Sequence, residues 1–228
     1  IPGGVFEFHG TGASPWYDGS RFARDGVVCV TINYRVGADG FLYLGDDVAN
    51  LGLLDQIAAL EWVRENVAAF GGDPQNVTIF GESAGAMSVA TLLAVPRAEG
   101  LFQHAVAQSG AAHHVLSAET GRLVGQRLAE YLGVEAAREA IADVPVDRVL
   151  EAQEEVRNDL QADPDPERWG GEVVGPLMPW QPVVDGDVLP DYPLDRIESG
   201  DGADADLLVG TNTDEHRLFL VTGGVIDQ

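Results

Sequence analysis

The residues with the clearest chemical potential lie in segment 81–85, GESAG. A short β-branched run, residues 77–80, precedes it, and an apolar stretch, residues 86–95, follows it. This order predicts a strand, a tight turn and a helix. A serine in such a turn, here Ser83, is forced into a strained backbone conformation with its hydroxyl exposed at the helix N-terminus. That position suits a nucleophile, because the free N–H groups and the positive dipole end of a helix stabilise a developing oxyanion.

The glycines of this segment are required for a steric reason. The turn is so tight that the residues two positions before and after Ser83 would collide if they carried side chains, so Gly81 and Gly85 make it possible. Short Gly/Ser patterns occur by chance in many sequences. Here the pattern lies between a predicted strand and a predicted helix, and this context predicts a nucleophile elbow.

The elements around the elbow alternate between strands and helices. Strands are predicted at residues 26–35 (buried), 77–80, 104–108 and 207–210; helices at 50–70, 86–95, 118–132, 134–142 and 147–160; a loop at 163–171; and a helix start after residue 215. This alternation predicts the α/β class, with a mostly parallel central sheet and helices on both faces. With neither an internal repeat nor a linker in view, we expect one domain over residues 1–228, with a mainly helical insertion around 117–198.

The composition excludes several classes of partner. The 228 residues include 13 basic and 37 acidic ones, a formal net charge of −24, and every basic residue is arginine. Such a charge repels phosphate backbones, so nucleic-acid binding is not expected.

The sequence contains no run of about 18 apolar residues, so no membrane span is predicted. The lone Cys29 excludes a disulfide within the chain and is interpreted as a buried core thiol. No metal site is predicted, since His113 and His114 lack ligand spacing.

A longer stretch carries a resemblance to a known family. Residues 50–88, NLGLLDQIAALEWVRENVAAFGGDPQNVTIFGESAGAMS, resemble the core signature of the type-B carboxylesterase and cholinesterase family. Further segments resemble the family in the same order: TINYRVGADGFL (31–42), LFQHAVAQSG (101–110), QPVVDGDVLP (181–190) and LLVGTNTDE (207–215). The bacterial esterases of the para-nitrobenzyl type are the most similar group. The resemblance covers almost the whole chain and implies the α/β-hydrolase fold and ester hydrolysis without a cofactor.

The resemblance implies roles for two catalytic side chains. Ser83 would be the nucleophile, and Glu215, in the segment similar to the family's G-x-x-x-D-E stretch, would be the triad acid. Such a carboxylate orients an imidazole that takes the serine proton. From the residues alone, the favoured interpretation of Glu215 is a solvated carboxylate at a helix start.

The same resemblance implies an oxyanion hole and two supporting side chains. Gly4 and Val5 would donate backbone N–H groups together with Ala84, and loss of one such donor typically costs about 10²–10³ in rate. The sequence departs from the family at Pro2, where histidine is usual. This departure affects the expected conformation of the loop and not the number of donors, because the proposed donors lie beyond Pro2. The resemblance also implies that Ser109 supports the triad and that Glu82 lies near the floor of the active-site gorge. Ser109 is equally interpreted as a strand-end hydroxyl.

A triad also needs a histidine. The five histidines are His9, His104, His113, His114 and His216, and none matches the family's catalytic one, which comes well after the acid. Family chains are about twice this length, so we expect a central half, incomplete at both ends and without its catalytic histidine. The cellular location stays open, with the cytoplasm as the default expectation.

The sequence therefore predicts a serine carboxylesterase acting on a small-molecule ester. Two other interpretations remain: a non-catalytic, cholinesterase-like binding module, and a truncated, inactive remnant with intact motifs. Retention of Ser83, Glu215 and the flanking glycines weighs against the binding module. The sequence leaves the oligomeric state and the acyl preference undetermined.

Overall fold

The structure is a computed structural model and describes residues 1–8, 10–202, 204–215 and 217–222. Its strands are β1 (Thr78–Glu82), β2 (His104–Gln108), β3 (Leu116–Ser117), β4 (Val183–Val184) and β5 (Asp206–Gly210). Its α-helices are α1 (Ser20–Arg24), α2 (Gly37–Phe41), α3 (Leu51–Asn66), α4 (Ala84–Leu92), α5 (Ala118–Leu132), α6 (Arg138–Ala142), α7 (Val146–Ala162), α8 (Pro166–Trp169), α9 (Gly171–Val174), α10 (Pro193–Ser199) and α11 (Arg217–Thr222). Short 3-10 turns lie at Pro15–Tyr17, Val67–Phe70 and Pro96–Ala98.

The main sheet has the strand order β1-β2-β5, with both pairs parallel. Its register aligns the last residues of the three strands, Glu82 with Gln108 and Gln108 with Gly210. The segments that follow the three strands therefore begin at the same edge of the sheet. In open α/β sheets this carboxyl edge is where ligands bind.

Helix α4 is the central helix of the core. All nine of its residues are buried, and it packs on β1 and β2, whose Ile79, Ala105 and Ala107 are buried. A helix that is apolar all round has to be enclosed, which explains this position. On the opposite face of β1, the Phe80 ring lies 5.5 Å from that of Phe22 in α1. Helices therefore contact both faces of β1, whereas the apolar side chains of β5 are exposed.

Most of the predicted elements are confirmed. Strand β2 has the predicted bounds, and so does α5, which begins where the Ser117 hydroxyl accepts the Thr120 N–H and ends at Gly133 in the left-handed conformation. The helix expected over 50–70 is α3 followed by a 3-10 turn, and α7 extends the predicted 147–160 by one residue at its start and two at its end. The helix predicted over 134–142 is only α6, and the predicted loop 163–171 contains α8.

The prediction of a buried strand over residues 26–35 is wrong. Within the described residues this segment pairs with no strand, and Val27, Val28 and Val30 are exposed. Cys29 is only partly buried, which also corrects its interpretation as a core thiol. A β-branched run has the composition of a strand, but a strand forms only where a neighbouring backbone completes its ladder.

Helix α7 and residue Asn50 make two of the contacts between the residues beyond β2 and the earlier part of the chain. Helix α7 packs on both α5 and α2. Asn50, buried and in the left-handed conformation at φ 55°, donates to the Val183 carbonyl (2.8 Å) and accepts the Val183 N–H (2.7 Å). Its side chain thereby pairs with β4 as a strand backbone would.

Candidate active site

Ser83 is the single residue between β1 and α4. Its backbone has φ 55° and ψ −124°, a conformation that non-glycine residues rarely adopt. Two hydrogen bonds hold it there: its N–H donates to the Gln108 carbonyl (3.0 Å), and its carbonyl accepts the Met87 N–H (2.9 Å). A strained residue that its surroundings hold this firmly is typical of a functional site. The strained turn expected at Ser83 is present.

The glycines around Ser83 are required by close backbone contacts. A Cβ at Gly81 would lie 2.4 Å from the Gly85 carbonyl carbon, and one at Gly85 would lie 2.3 Å from the Ile1 carbonyl oxygen. A Cβ at Gly110, after β2, would lie 2.4 Å from the Ser83 carbonyl oxygen. The expected collision across the turn is therefore found at Gly81, whereas Gly85 is required by the close approach of the first residue of the chain. Gly110 is a further glycine that the elbow needs.

The first residues of the chain form a loop against the elbow. A Cβ at Gly3 would lie 2.6 Å from the Glu82 carbonyl oxygen, so the backbones of loop and elbow touch. Three consecutive residues of this loop have positive φ: Gly4 at 115°, Val5 at 51° and Phe6 at 59°. The loop closes on itself where the N–H groups of residues 7 and 8 donate to the Gly4 carbonyl (3.0 and 2.8 Å).

Three amides at this place are free to bind an anion. Within the described residues, no hydrogen bond uses the N–H of Gly4, Val5 or Ala84. Ala84 is the first residue of α4, so its amide also carries the partial positive charge of a helix N-terminus. The loop touches the backbone at Glu82 and Gly85, on either side of Ser83 and Ala84, so the loop and the helix end present their amides at the elbow.

Glu215 lies at the same edge of the sheet. It follows β5 by five residues, and its carboxylate accepts the Asn212 N–H (2.8 Å). Burial raises the pKa of Glu82, and the negative charge of Glu215 raises it further. The carboxylates of Glu82 and Glu215 therefore lie close enough to interact.

Ser109 occupies the equivalent position after β2. It has φ 55°, and its N–H donates to the Gly210 carbonyl (2.8 Å). The structure thus brings Ser83, Ser109 and Glu215 to the carboxyl ends of three adjacent strands. Ser83 was predicted from its motif, and Ser109 and Glu215 from the resemblance to the family.

Comparison with known proteins identifies the relatives of this chain. The model of the carboxylesterase family matches residues 1–225. The chain belongs to the carboxylesterase family. It is 43% identical over 226 residues to the para-nitrobenzyl esterase of Bacillus subtilis, covering 96% of this chain and 44% of that protein. It is also 40% identical over 230 residues to mouse cholinesterase, covering 98% of this chain and 37% of that protein.

Solved structures agree with this assignment. The carboxylesterase of Geobacillus stearothermophilus at pH 6.2 superposes with a TM-score of 0.85 at 43% identity, covering 99% of this chain and 45% of that one. A para-nitrobenzyl (PNB) esterase gives 0.84 at 42% identity, covering 96% and 45%. The expected α/β-hydrolase fold is therefore confirmed. The chain spans less than half the length of these relatives.

Two tyrosines form hydrogen bonds with the loop backbone at Pro2 and Gly3. The buried Tyr34 donates its hydroxyl to the Pro2 carbonyl (2.7 Å), and burial raises the pKa of Tyr34 so that it stays a donor. The Tyr17 hydroxyl accepts the Gly3 N–H (3.1 Å). The sequence analysis did not identify either tyrosine. The signal for Tyr34 was its place beside an apolar run, since a buried tyrosine needs a partner for its hydroxyl.

No histidine of the described residues is joined to Ser83 by a hydrogen bond. His104 begins β2 and contacts Asp206 (3.1 Å), about 13 Å along the strand from the carboxyl edge. His113 is exposed, and burial lowers the pKa of His114, which is half-buried. The two other histidines, His9 and His216, lie outside the described residues.

Two other kinds of feature are absent from the described part of the chain. Across the described ranges, no group of three or more His, Cys, Asp or Glu side chains is arranged to hold a metal ion. In the same part of the chain, no helix has the length and apolar character needed to cross a bilayer.

Proposed function

We propose that this chain supplies the nucleophile, the acid and the oxyanion donors of a serine carboxylesterase, which hydrolyses small carboxylic esters through an acyl-enzyme on Ser83. The observation that carries the proposal is Ser83 in its strained turn, beside three amides that no described hydrogen bond uses. Membership of the carboxylesterase family supports the class of substrate. The name of the similar para-nitrobenzyl esterase suggests para-nitrobenzyl esters as first probes.

In the proposed reaction, the Ser83 Oγ forms a bond with the ester carbonyl carbon, and its proton passes to a histidine base. The carbonyl oxygen becomes an oxyanion that accepts hydrogen bonds from Gly4, Val5 and Ala84. The bond to the alkoxy oxygen then breaks, and the alcohol leaves with the proton from the imidazolium. Water attacks the acyl-enzyme by the same steps, releasing the acid and restoring the serine.

The remaining residues act on the histidine and on the charge of the site. Glu215 would orient the imidazole and stabilise the imidazolium, with Ser109 supporting it from the end of β2. Glu82 would add negative potential where the imidazolium forms. Because His104 lies at the opposite end of β2, we do not propose it as the base.

The test is hydrolysis of para-nitrobenzyl esters by the protein expressed from its complete gene. Ser83→Ala is expected to lower kcat by about 10³-fold or more, as loss of a serine nucleophile does. Ser199→Ala is the control, because that exposed hydroxyl donates to the Arg196 carbonyl (2.8 Å) at the end of α10. A folded protein without activity toward these or other simple esters would refute the proposal and favour a binding module. The same result with a natural mass near 24.2 kDa would favour an inactive remnant.

A further inference from the structure

The loop that carries Gly4 and Val5 is held in a conformation that its own sequence does not favour. Of its three consecutive positive-φ residues, only Gly4 is a glycine, while Val5 is β-branched. β-Branched residues at positive φ are outliers that surrounding contacts have to maintain. Contacts on this loop therefore determine where the two proposed donor amides lie.

One such contact joins the loop to α7 across 150 positions of sequence. The Arg157 Nη1 donates to the Glu7 Oε1 at 2.6 Å. Only 8% of the Glu7 side chain and 22% of the Arg157 side chain are exposed, so solvent screens this ion pair poorly. The guanidinium also lies 5.1 Å from the Phe8 ring centre. Arg157 thus holds the two residues that close the loop onto the Gly4 carbonyl.

The surroundings of Glu7 make its ionised form depend on Arg157. Burial raises the pKa of Glu7, and the nearby Glu154 raises it further, whereas Arg157 lowers it. Without the guanidinium, a largely buried carboxylate would be left unpaired beside a second acid, which is strongly unfavourable.

A second side chain of α7 acts on the same loop one helical turn earlier. The buried Gln153 accepts the Ala38 N–H at 2.6 Å and lies against Gly37, where a Cβ would be 2.2 Å from its Oε1. The Gly37 N–H in turn donates to the Phe6 carbonyl at 2.7 Å. Residues 153 and 157 share one face of α7 because they are four positions apart. That face therefore contacts the loop directly at Glu7 and is linked to the Phe6 carbonyl through Gly37.

We propose that Arg157 and Gln153 are positioning residues, which hold the Gly4 and Val5 amides where the oxyanion forms. The proposal rests on the proposed esterase function. Arg157 acts through Glu7, and Gln153 acts through Gly37 and the Phe6 carbonyl. A donor displaced by about 1 Å costs on the order of 10²-fold in rate.

The kinetic test compares two arginines of α7 in the protein expressed from its complete gene. Arg157→Met should lower kcat for a para-nitrobenzyl ester about 10- to 100-fold and leave KM within about threefold, because oxyanion donors act in the transition state. Arg157→Lys should recover most of kcat. Arg148→Met is the control, since Arg148 is also partly buried but pairs with Glu151 and Glu155 and donates to the Tyr131 carbonyl in α5, not to the loop. A kcat for Arg157→Met within twofold of that for Arg148→Met would overturn the proposal, and so would a change confined to KM.

Amide hydrogen exchange tests the same proposal without requiring activity. The N–H groups of residues 7 and 8, which donate to the Gly4 carbonyl, and that of Gly37 should exchange faster in Arg157→Met than in Arg148→Met. If the unsubstituted protein hydrolyses no ester but this difference is seen, the positioning role stands and the esterase function fails. Equal exchange in the two variants would overturn the positioning role whatever the activity.

Discussion

Replacement of Gly81 by alanine should damage both the stability and the reactivity of the elbow. The new Cβ would lie 2.4 Å from the Gly85 carbonyl carbon and 2.5 Å from its oxygen, whereas ordinary contacts begin at 3.4 Å. Gly81 lies in β1, and both atoms that its Cβ would meet belong to the Gly85 backbone in α4, so no side-chain rotation relieves the overlap. Relief requires the strand and the helix to separate by about 1 Å, the difference between 3.4 and 2.4 Å.

The magnitude follows from that separation. Overpacking of this kind costs about 1–3 kcal/mol or more in the free energy of unfolding. Because Ser83 is the only residue between the two elements, it moves with them, and a shift of about 1 Å lowers the rate on the order of 10²-fold.

The assay is urea unfolding, together with the rate of ester hydrolysis. Gly171→Ala is the matched control, because a Cβ there meets no atom within 4 Å and the residue begins α9. It should be neutral or stabilising by up to about 1 kcal/mol. The reasoning is refuted if Gly81→Ala unfolds within about 0.5 kcal/mol of the control and retains its activity.

Two other predictions concern charge and stability. Because the Glu215 charge contributes to the raised pKa of Glu82, Glu215→Gln should lower that pKa in a carboxyl NMR titration, whereas the exposed Asp214→Asn should change it less. Because its pKa is raised in the folded state, Glu82 stabilises the fold below its ordinary pKa, and this stabilisation is lost as the pH rises through the raised value. Glu215→Gln should therefore reduce the loss of stability with pH. An unchanged Glu82 pKa would contradict the proximity of the two carboxylates. Asn50→Ala should lower the free energy of unfolding by about 2–4 kcal/mol, because two buried hydrogen bonds to Val183 are lost and alanine tolerates positive φ poorly; a loss below about 0.5 kcal/mol in urea unfolding would contradict this account.

The elbow could be predicted from the sequence because its determinants are local. A β-branched run, two glycines and an apolar run lie within about twenty residues, and each specifies the backbone of its own segment. Helix α5 was predictable for the same reason, since Ser117 caps its start and Gly133 ends it. Local propensity and tertiary structure agree at these places.

The errors arise where the structure depends on distant segments. Residues 26–35 have the composition of a strand, but composition does not supply the neighbouring backbone that a ladder needs. The pairing of Glu7 with Arg157 spans 150 positions, and no local pattern marks either residue. Such contacts follow from the packing of α7 on α2, which side-chain periodicity alone does not specify.

The residues of the candidate site also differ in how far local sequence could predict them. Ser83 was predictable from its motif, whereas the roles of Glu215, Gly4 and Val5 came from the resemblance to a family. From its own neighbours, Glu215 is only an acidic residue after a short strand. The parallel register of β1, β2 and β5 brings it to the edge that Ser83 occupies.

The most direct test of the central claim is covalent labelling of Ser83 with a fluorophosphonate. The reagent reacts only with a serine whose hydroxyl is activated by a base and whose adduct oxygen is held by hydrogen-bond donors. We predict one added group per chain by intact mass, located on Ser83 by peptide mapping and absent in Ser83→Ala. A folded protein that takes up no label, or that takes it up elsewhere than Ser83, would contradict the assignment of the nucleophile.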